Sequence, residues 1–157
     1  MTGRLYIMRH GEAAPGHPDS ERELTARGRS EAERMARWLG AQVAKDARLY
    51  VSPYVRACQT ALPLAEALGV EPEVLPIITP DDAPEAVCDW LLANADEAPI
   101  VLVSHMPLVG LLTGLLVEGR GDHGLAFPTA AVVELDSTVW AAGCARLHRF
   151  TTPVDIR

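Results

Sequence analysis

Ile100-Val101-Leu102-Val103, with Pro99 before it and Ser104-His105 after it, reads as a strand buried on both faces. A half-exposed strand alternates apolar and polar residues. This run is continuous and β-branched, which puts it inside a sheet covered on both sides. On its C-terminal side the chain turns helical at Pro107, with Leu108, Leu111, Leu112 and Leu115 on one face and Gly119 as the stop. On its N-terminal side Pro84 opens another helix, with Val87, Trp90 and Leu91 inward. Glu73-Val74-Leu75 is a candidate short strand. Leu49-Tyr50-Val51 is a strand broken by Ser52-Pro53, and Pro53 suits the first turn of the helix that follows. Cys58, Ala61, Leu62, Ala65 and Leu68 mark the buried face of that helix and Gly69 its end, while Pro63 is expected to kink or restart it.

Nearer the start, Leu5-Tyr6-Ile7-Met8 is a buried strand running into a polar loop that Pro15, Gly16 and Pro18 keep irregular. Thr25 is a helix N-cap, and Ala32, Met35, Ala36, Leu39 and Val43 share one helical face. Past Gly119, residues 121–128 form a loop, and 131–135 and 139–150 read as two closing strands joined near Asp136-Ser137. Strands alternating with helices predict an α/β fold, a three-layer α/β/α sandwich with a mostly parallel sheet. The hairpin-like end adds an antiparallel edge, so the sheet is mixed. At 157 residues the chain matches one domain, 1–157.

Composition narrows the partners. A net charge of −7 argues against nucleic acid and against an anionic membrane surface, although a few arginines can still make a phosphate pocket in an acidic surface. No apolar run is long enough to span a bilayer, and the N-terminus enters a strand without a signal-peptide pattern. Cys58, Cys88 and Cys144 are odd in number and have no CxxC spacing, so reduced thiols in the cytoplasm are expected. No His, Cys and carboxylate spacing resembles a metal site, and no cofactor is expected.

Three strand ends deliver unusual polar residues: Arg9-His10-Gly11-Glu12, then Ser52-Pro53 with Arg56 one turn into its helix, then Ser104-His105. Ligands of open α/β sheets bind outside the carboxyl ends of the strands, and the helix N-termini there favour an anion. Two arginines offer planar forks for phosphate oxygens, and a neutral histidine offers a nucleophilic nitrogen. The expected ligand is therefore a phosphate or a related oxyanion.

Met8-Arg9-His10-Gly11-Glu12 resembles the RHG signature of the histidine phosphatase superfamily, the phosphoglycerate mutase-like group. The resemblance continues in Leu24-Thr25-Ala26-Arg27-Gly28, in Ser52-Pro53-Tyr54-Val55-Arg56-Ala57-Cys58-Gln59-Thr60, and in Ser104-His105-Met106-Pro107-Leu108-Val109-Gly110. The short length and the last of these motifs look most like the SixA-type phosphohistidine phosphatases. The resemblance implies a phosphoglycerate mutase-like fold and hydrolysis through a phosphohistidine enzyme intermediate. His10 would be the nucleophile, with Arg9, Arg56 and His105 binding the phosphoryl oxygens and stabilising the transition state. One nitrogen of His10 must then face phosphorus while an acceptor such as a backbone carbonyl holds the other.

Relatives carry an acid for the leaving group in the segment after the second strand's helix. Here Leu75-Pro76-Ile77-Ile78-Thr79-Pro80 has no acid before Asp81 and Asp82. One of those aspartates, or Glu12, could substitute, or the enzyme could lack a dedicated acid. The lack favours a protein phosphohistidine substrate, whose imidazole leaves without one. Arg56 and His105 lie 49 positions apart, which leaves little room for an enclosing insertion and suggests an open groove fit for a phosphorylated protein. A phosphatase of sugar or nucleotide phosphates is the alternative, and a non-catalytic phosphohistidine reader a third reading. The bland readings are a cap role for Glu12, a turn or cap role for Ser52, and a core place for Cys58. Arg22 and Arg27 read as solvated charges that could extend the anion pocket, and His17, His123 and His148 as surface histidines. Trp38, Trp90 and Trp140 read as core or half-buried.

Overall fold

Along β1 (Gly3–Arg9), Leu5 and Ile7 pack to one side of a sheet while Tyr6 and Met8 pack to the other. The computed structural model describes residues 2–156. After β1 come α1 (Ala26–Gly40), β2 (Arg48–Val51), α2 (Val55–Leu68), β3 (Glu73–Val74), α3 (Pro84–Asn94), β4 (Ile100–Ser104), α4 (Leu108–Glu118), β5 (Val132–Ser137) and β6 (Arg146–Thr151). Leu5, Ile7, Leu102 and Val133 meet Val87 and Leu91 of α3 and Leu108 and Leu112 of α4. Tyr6, Met8, Val101 and Val103 meet Met35 and Leu39 of α1 and Leu64 and Leu68 of α2. The result is the expected three-layer sandwich. Every residue of β4 is buried, and each of its large aliphatic side chains contributes about 1.5–3 kcal/mol relative to exposure.

The six strands lie in the order β3-β2-β4-β1-β5-β6. β3, β2, β4 and β1 are mutually parallel, whereas β5 runs antiparallel to both β1 and β6. Arg9 of β1 stands opposite Ser104 of β4, so His10 and His105 follow from adjacent strands in register.

Several elements differ from their sequence reading. α2 runs through Pro63 without interruption, and Pro53 precedes it rather than opening it. Cys58 and Leu62 are exposed, because Arg56, Ala57, Thr60, Ala61 and Leu64 occupy the buried stripe instead. The start of α2 faces the polar edge of the sheet, so polar residues are its inward ones there. α1 ends at Gly40, and Val43 is buried in the turn beyond it. β6 begins only at Arg146, and the residues before it form a turn in which Gly143 adopts a φ of 73°.

Candidate active site

β1, β2 and β4 are parallel, so their carboxyl ends share one edge, and the three motifs meet there. His10 is buried, and its backbone N–H donates to Ser104 O across the sheet at 2.9 Å. Its Nδ1 lies 2.6 Å from Gly11 O. A carbonyl only accepts, so Nδ1 carries the ring proton and Nε2 keeps its lone pair. Arg56 Nε donates toward that lone pair at 3.3 Å, which fixes the same tautomer from the other side. The expected carbonyl partner of His10 is therefore Gly11.

The backbone around His10 is packed to tolerances that explain two of the motifs. A Cβ on Gly11 would stand 2.8 Å from Gly28 O, and one on Gly28 would stand 2.1 Å from Glu12 O. The first turn of α1 thus lies directly on the Gly11-Glu12 backbone. Thr25 caps it, its Oγ1 accepting from Gly28 N at 3.0 Å. Gly11 N–H donates to Thr60 Oγ1 at 2.9 Å, and Thr60 Oγ1 donates to Arg56 O at 2.8 Å, which ties the loop to α2.

Arg56 is buried and used on every edge. Besides Nε on His10, Nη1 donates to Asp19 O at 2.7 Å and Nη2 to Asp19 Oδ2 at 3.1 Å. Arg9 Nη1 donates to Phe127 O at 2.8 Å, and Arg9 Nε is buried without a partner among the described residues. His105 is buried with its ring centroid 5.0 Å from that of His10, and its Nε2 lies 2.7 Å from Ser52 Oγ. Burial first, then the nearby arginines, pushes His10 down to about 4. Burial, His10 and Arg56 push His105 down to about 3. Both rings are therefore neutral near pH 7, where His10 Nε2 can act as a nucleophile and the arginines as anion donors.

The profile of the histidine phosphatase superfamily (branch 1) matches residues 5–79. Phosphohistidine phosphatase SixA of Escherichia coli strain K12 is 37% identical to this chain over 140 residues, covering 86% of this chain and 87% of its own. The chain belongs to the histidine phosphatase superfamily. A SixA homolog of Haemophilus influenzae is 33% identical over 143 residues, covering 83% of this chain and 86% of its own. Among solved structures, the protein histidine phosphatase SixA complexed with tungstate superposes with a TM-score of 0.86 at 34% identity, covering 97% of this chain and 98% of its own. Tungstate is a tetrahedral oxyanion, and its oxygens stand in for those of phosphate.

For this member of the histidine phosphatase superfamily, the structure brings Arg9, His10, Arg56 and His105 together, whereas the candidate acids are exposed or hydrogen-bonded to other residues. Glu12 Oε1 accepts from Thr25 Oγ1 at 2.8 Å, a structural role at the start of α1. Asp82 Oδ2 accepts from Thr79 N at 2.8 Å and Thr79 Oγ1 at 2.6 Å, closing a local turn, and Asp81 is exposed. His17, His123 and His148 are exposed, and Arg27 is exposed beside Glu31. Arg22 binds Asp19 Oδ1 at 2.9 Å and so reaches the site through that carboxylate. Sequence reading missed Asp19, Thr60 and the role of Ser52. Among the described residues no cluster of three or more His, Cys, Asp or Glu could hold a metal ion, and no helix is long and apolar enough to cross a membrane.

The neutral histidines make a measurable expectation. A lowered histidine pKa means that burial opposes protonation, so the ring stays neutral as pH falls through the ordinary 6.5 and charges only near 4. The unfolded chain binds the proton earlier, so this pair's contribution to stability is full above pH 6.5 and declines as pH falls toward about 4 for His10 and about 3 for His105. In NMR titrations the ring protons of His10 and His105 should hold constant shifts across neutral and mildly acidic pH. A midpoint near 6.5 for either would contradict the burial argument.

Proposed function

We propose that this chain is a phosphatase, a single domain over residues 1–157, that removes the phosphoryl group from histidine side chains of a protein partner in the cytoplasm. The observation that carries this reading is the fixed tautomer of His10, with Nδ1 bonded to Gly11 O and Nε2 facing the guanidinium of Arg56. In the first step His10 Nε2 attacks phosphorus, and the P–N bond to the substrate imidazole breaks. The electron pair returns to the leaving nitrogen, whose ring leaves neutral when its other nitrogen already holds a proton. In the second step water attacks phospho-His10, releasing phosphate and neutral His10, and the water's proton passes to phosphate or solvent. Arg9, Arg56 and His105 hold the equatorial oxygens, because phosphoryl transfer depends mostly on positioning and electrostatic stabilisation. The names of the SixA relatives and the tungstate complex support this reading.

The leaving group separates phosphohistidine from sugar and serine phosphates. An alkoxide needs a proton from a fixed acid, since alcohols are about as weakly acidic as water, with a pKa of about 15.7. Imidazole's conjugate acid has a pKa of about 6.5, so it leaves without one. Residues 56–105 are taken up by α2, β3, α3, β4 and short connections, so no segment there is left to enclose a small substrate. Asp81→Asn and Asp82→Asn should therefore leave cleavage of a phosphohistidine peptide within about two-fold of the parent. The deciding assay compares that peptide with a simple sugar phosphate. Efficient sugar phosphate hydrolysis, lost on changing either aspartate, would instead identify a small-molecule phosphatase with a working acid.

A further inference from the structure

Ser52 ends β2 and is wholly buried, and its hydroxyl has two neighbours. Tyr54 N–H donates to Ser52 Oγ at 3.3 Å, and His105 Nε2 lies 2.7 Å away. A hydroxyl has one proton to give and two lone pairs to receive with. If Nε2 of His105 carried the ring proton, Ser52 Oγ would accept from both neighbours. Its own proton and the lone pair of His105 Nδ1 would then both lack a partner among the described residues, two unsatisfied buried groups instead of one, and each is costly. The arrangement that satisfies all three groups has Tyr54 N–H donating to Ser52 and Ser52 O–H donating to His105 Nε2. The ring proton of neutral His105 then sits on Nδ1, which is buried and without a partner among the described residues. The ring is also held in place by the edge of Tyr54, with centroids 4.9 Å apart.

We propose that Ser52 is a positioning residue that fixes His105 as the Nδ1–H tautomer, so that the ring presents a hydrogen-bond donor to a phosphoryl oxygen. The two histidines of the site are thereby given different tasks by their different neighbours. A backbone carbonyl makes His10 a lone-pair nucleophile at Nε2. A serine hydroxyl makes His105 a neutral donor at Nδ1. The opposite tautomer of His105 would turn a lone pair toward an anionic oxygen, which repels it. A neutral donor also suits a group that must let phosphate go after each turnover.

This inference rests on reading the site as a phosphoryl pocket, but its first test needs no substrate. Two-bond nitrogen–proton spectra of the wild-type imidazoles report which ring nitrogen is protonated. The expected result is Nδ1–H for His105 and Nδ1–H for His10. Nε2–H for His105 would overturn the proposal, whatever the enzyme hydrolyses. The second test uses p-nitrophenyl phosphate with Ser52→Ala and Ser52→Thr. Ser52→Ala should lose about 100-fold in kcat/KM, the effect of one lost preorganised donor, while Ser52→Thr keeps the hydroxyl and most of the activity. The spectrum of Ser52→Ala should show mixed or reversed His105 tautomers with His10 unchanged. A Ser52→Ala enzyme with full activity and an unaltered His105 spectrum would also overturn it. Failure to cleave phosphohistidine, with the tautomers as expected, would count against the substrate and not against the role of Ser52.

Discussion

Replacing His10 by alanine is expected to lower turnover on the order of 10^4-fold or more, because no other group can accept the phosphoryl group at that position. The only other imidazole in the site, His105, is turned to Ser52 through Nε2, and its ring centroid is 5.0 Å from that of His10. Rapid acid or base quenching with labelled substrate distinguishes the intermediate. The parent should carry an acid-labile, base-stable label, and His10→Ala should carry none. Undiminished turnover in that variant would remove the phosphoenzyme from the mechanism. His10 is buried, so the variant's fold must be checked by circular dichroism.

Arg56→Ala is the second large effect, expected at about 10^2- to 10^3-fold in kcat/KM. Its guanidinium faces His10 Nε2 at 3.3 Å, where a phosphoryl group must sit. Its other edge binds Asp19 through both backbone and side chain, so the alanine variant also frees the 3-10 turn at Asp19–Glu21. Arg56→Lys should recover little, since one ammonium cannot serve His10 and both Asp19 oxygens in a fixed plane. Vanadate inhibition should weaken in parallel with kcat/KM. Normal vanadate affinity in Arg56→Ala would move the anion site away from this arginine.

Much of this site was readable because it obeys one topological rule. Parallel strands end on a common edge, so the polar residues after Met8, Val51 and Val103 had to converge. Thr25 and Gly69 were readable because caps are local chemistry. What was not readable depends on partners far along the chain. Ser52 looks like a turn residue until His105, distant in sequence, is set 2.7 Å from it. Asp19 lies in an irregular loop with no periodicity and gains its role only from Arg56. The helical phase of α2 was misjudged at Cys58 and Leu62 because apolar residues alone were used to find its inner face. Near the site that face carries Arg56 and Thr60. Glu12, by contrast, has the structural role expected of it, although its carboxylate accepts from the Thr25 hydroxyl rather than from a backbone group.

The two histidines stand on neighbouring rungs of one ladder, since β1 and β4 are paired with Arg9 opposite Ser104. Adjacent strands lie about 4.8 Å apart because backbone hydrogen bonding sets that spacing. The sheet therefore serves as a ruler for the chemistry, and its graduation is peptide geometry, which is common to all sequences. Exposed connections such as residues 71–72 can change in length or charge without stretching that scale. The spacing of the two histidines is thus set by the backbone ladder of β1 and β4, and it stays calibrated when side chains elsewhere are exchanged.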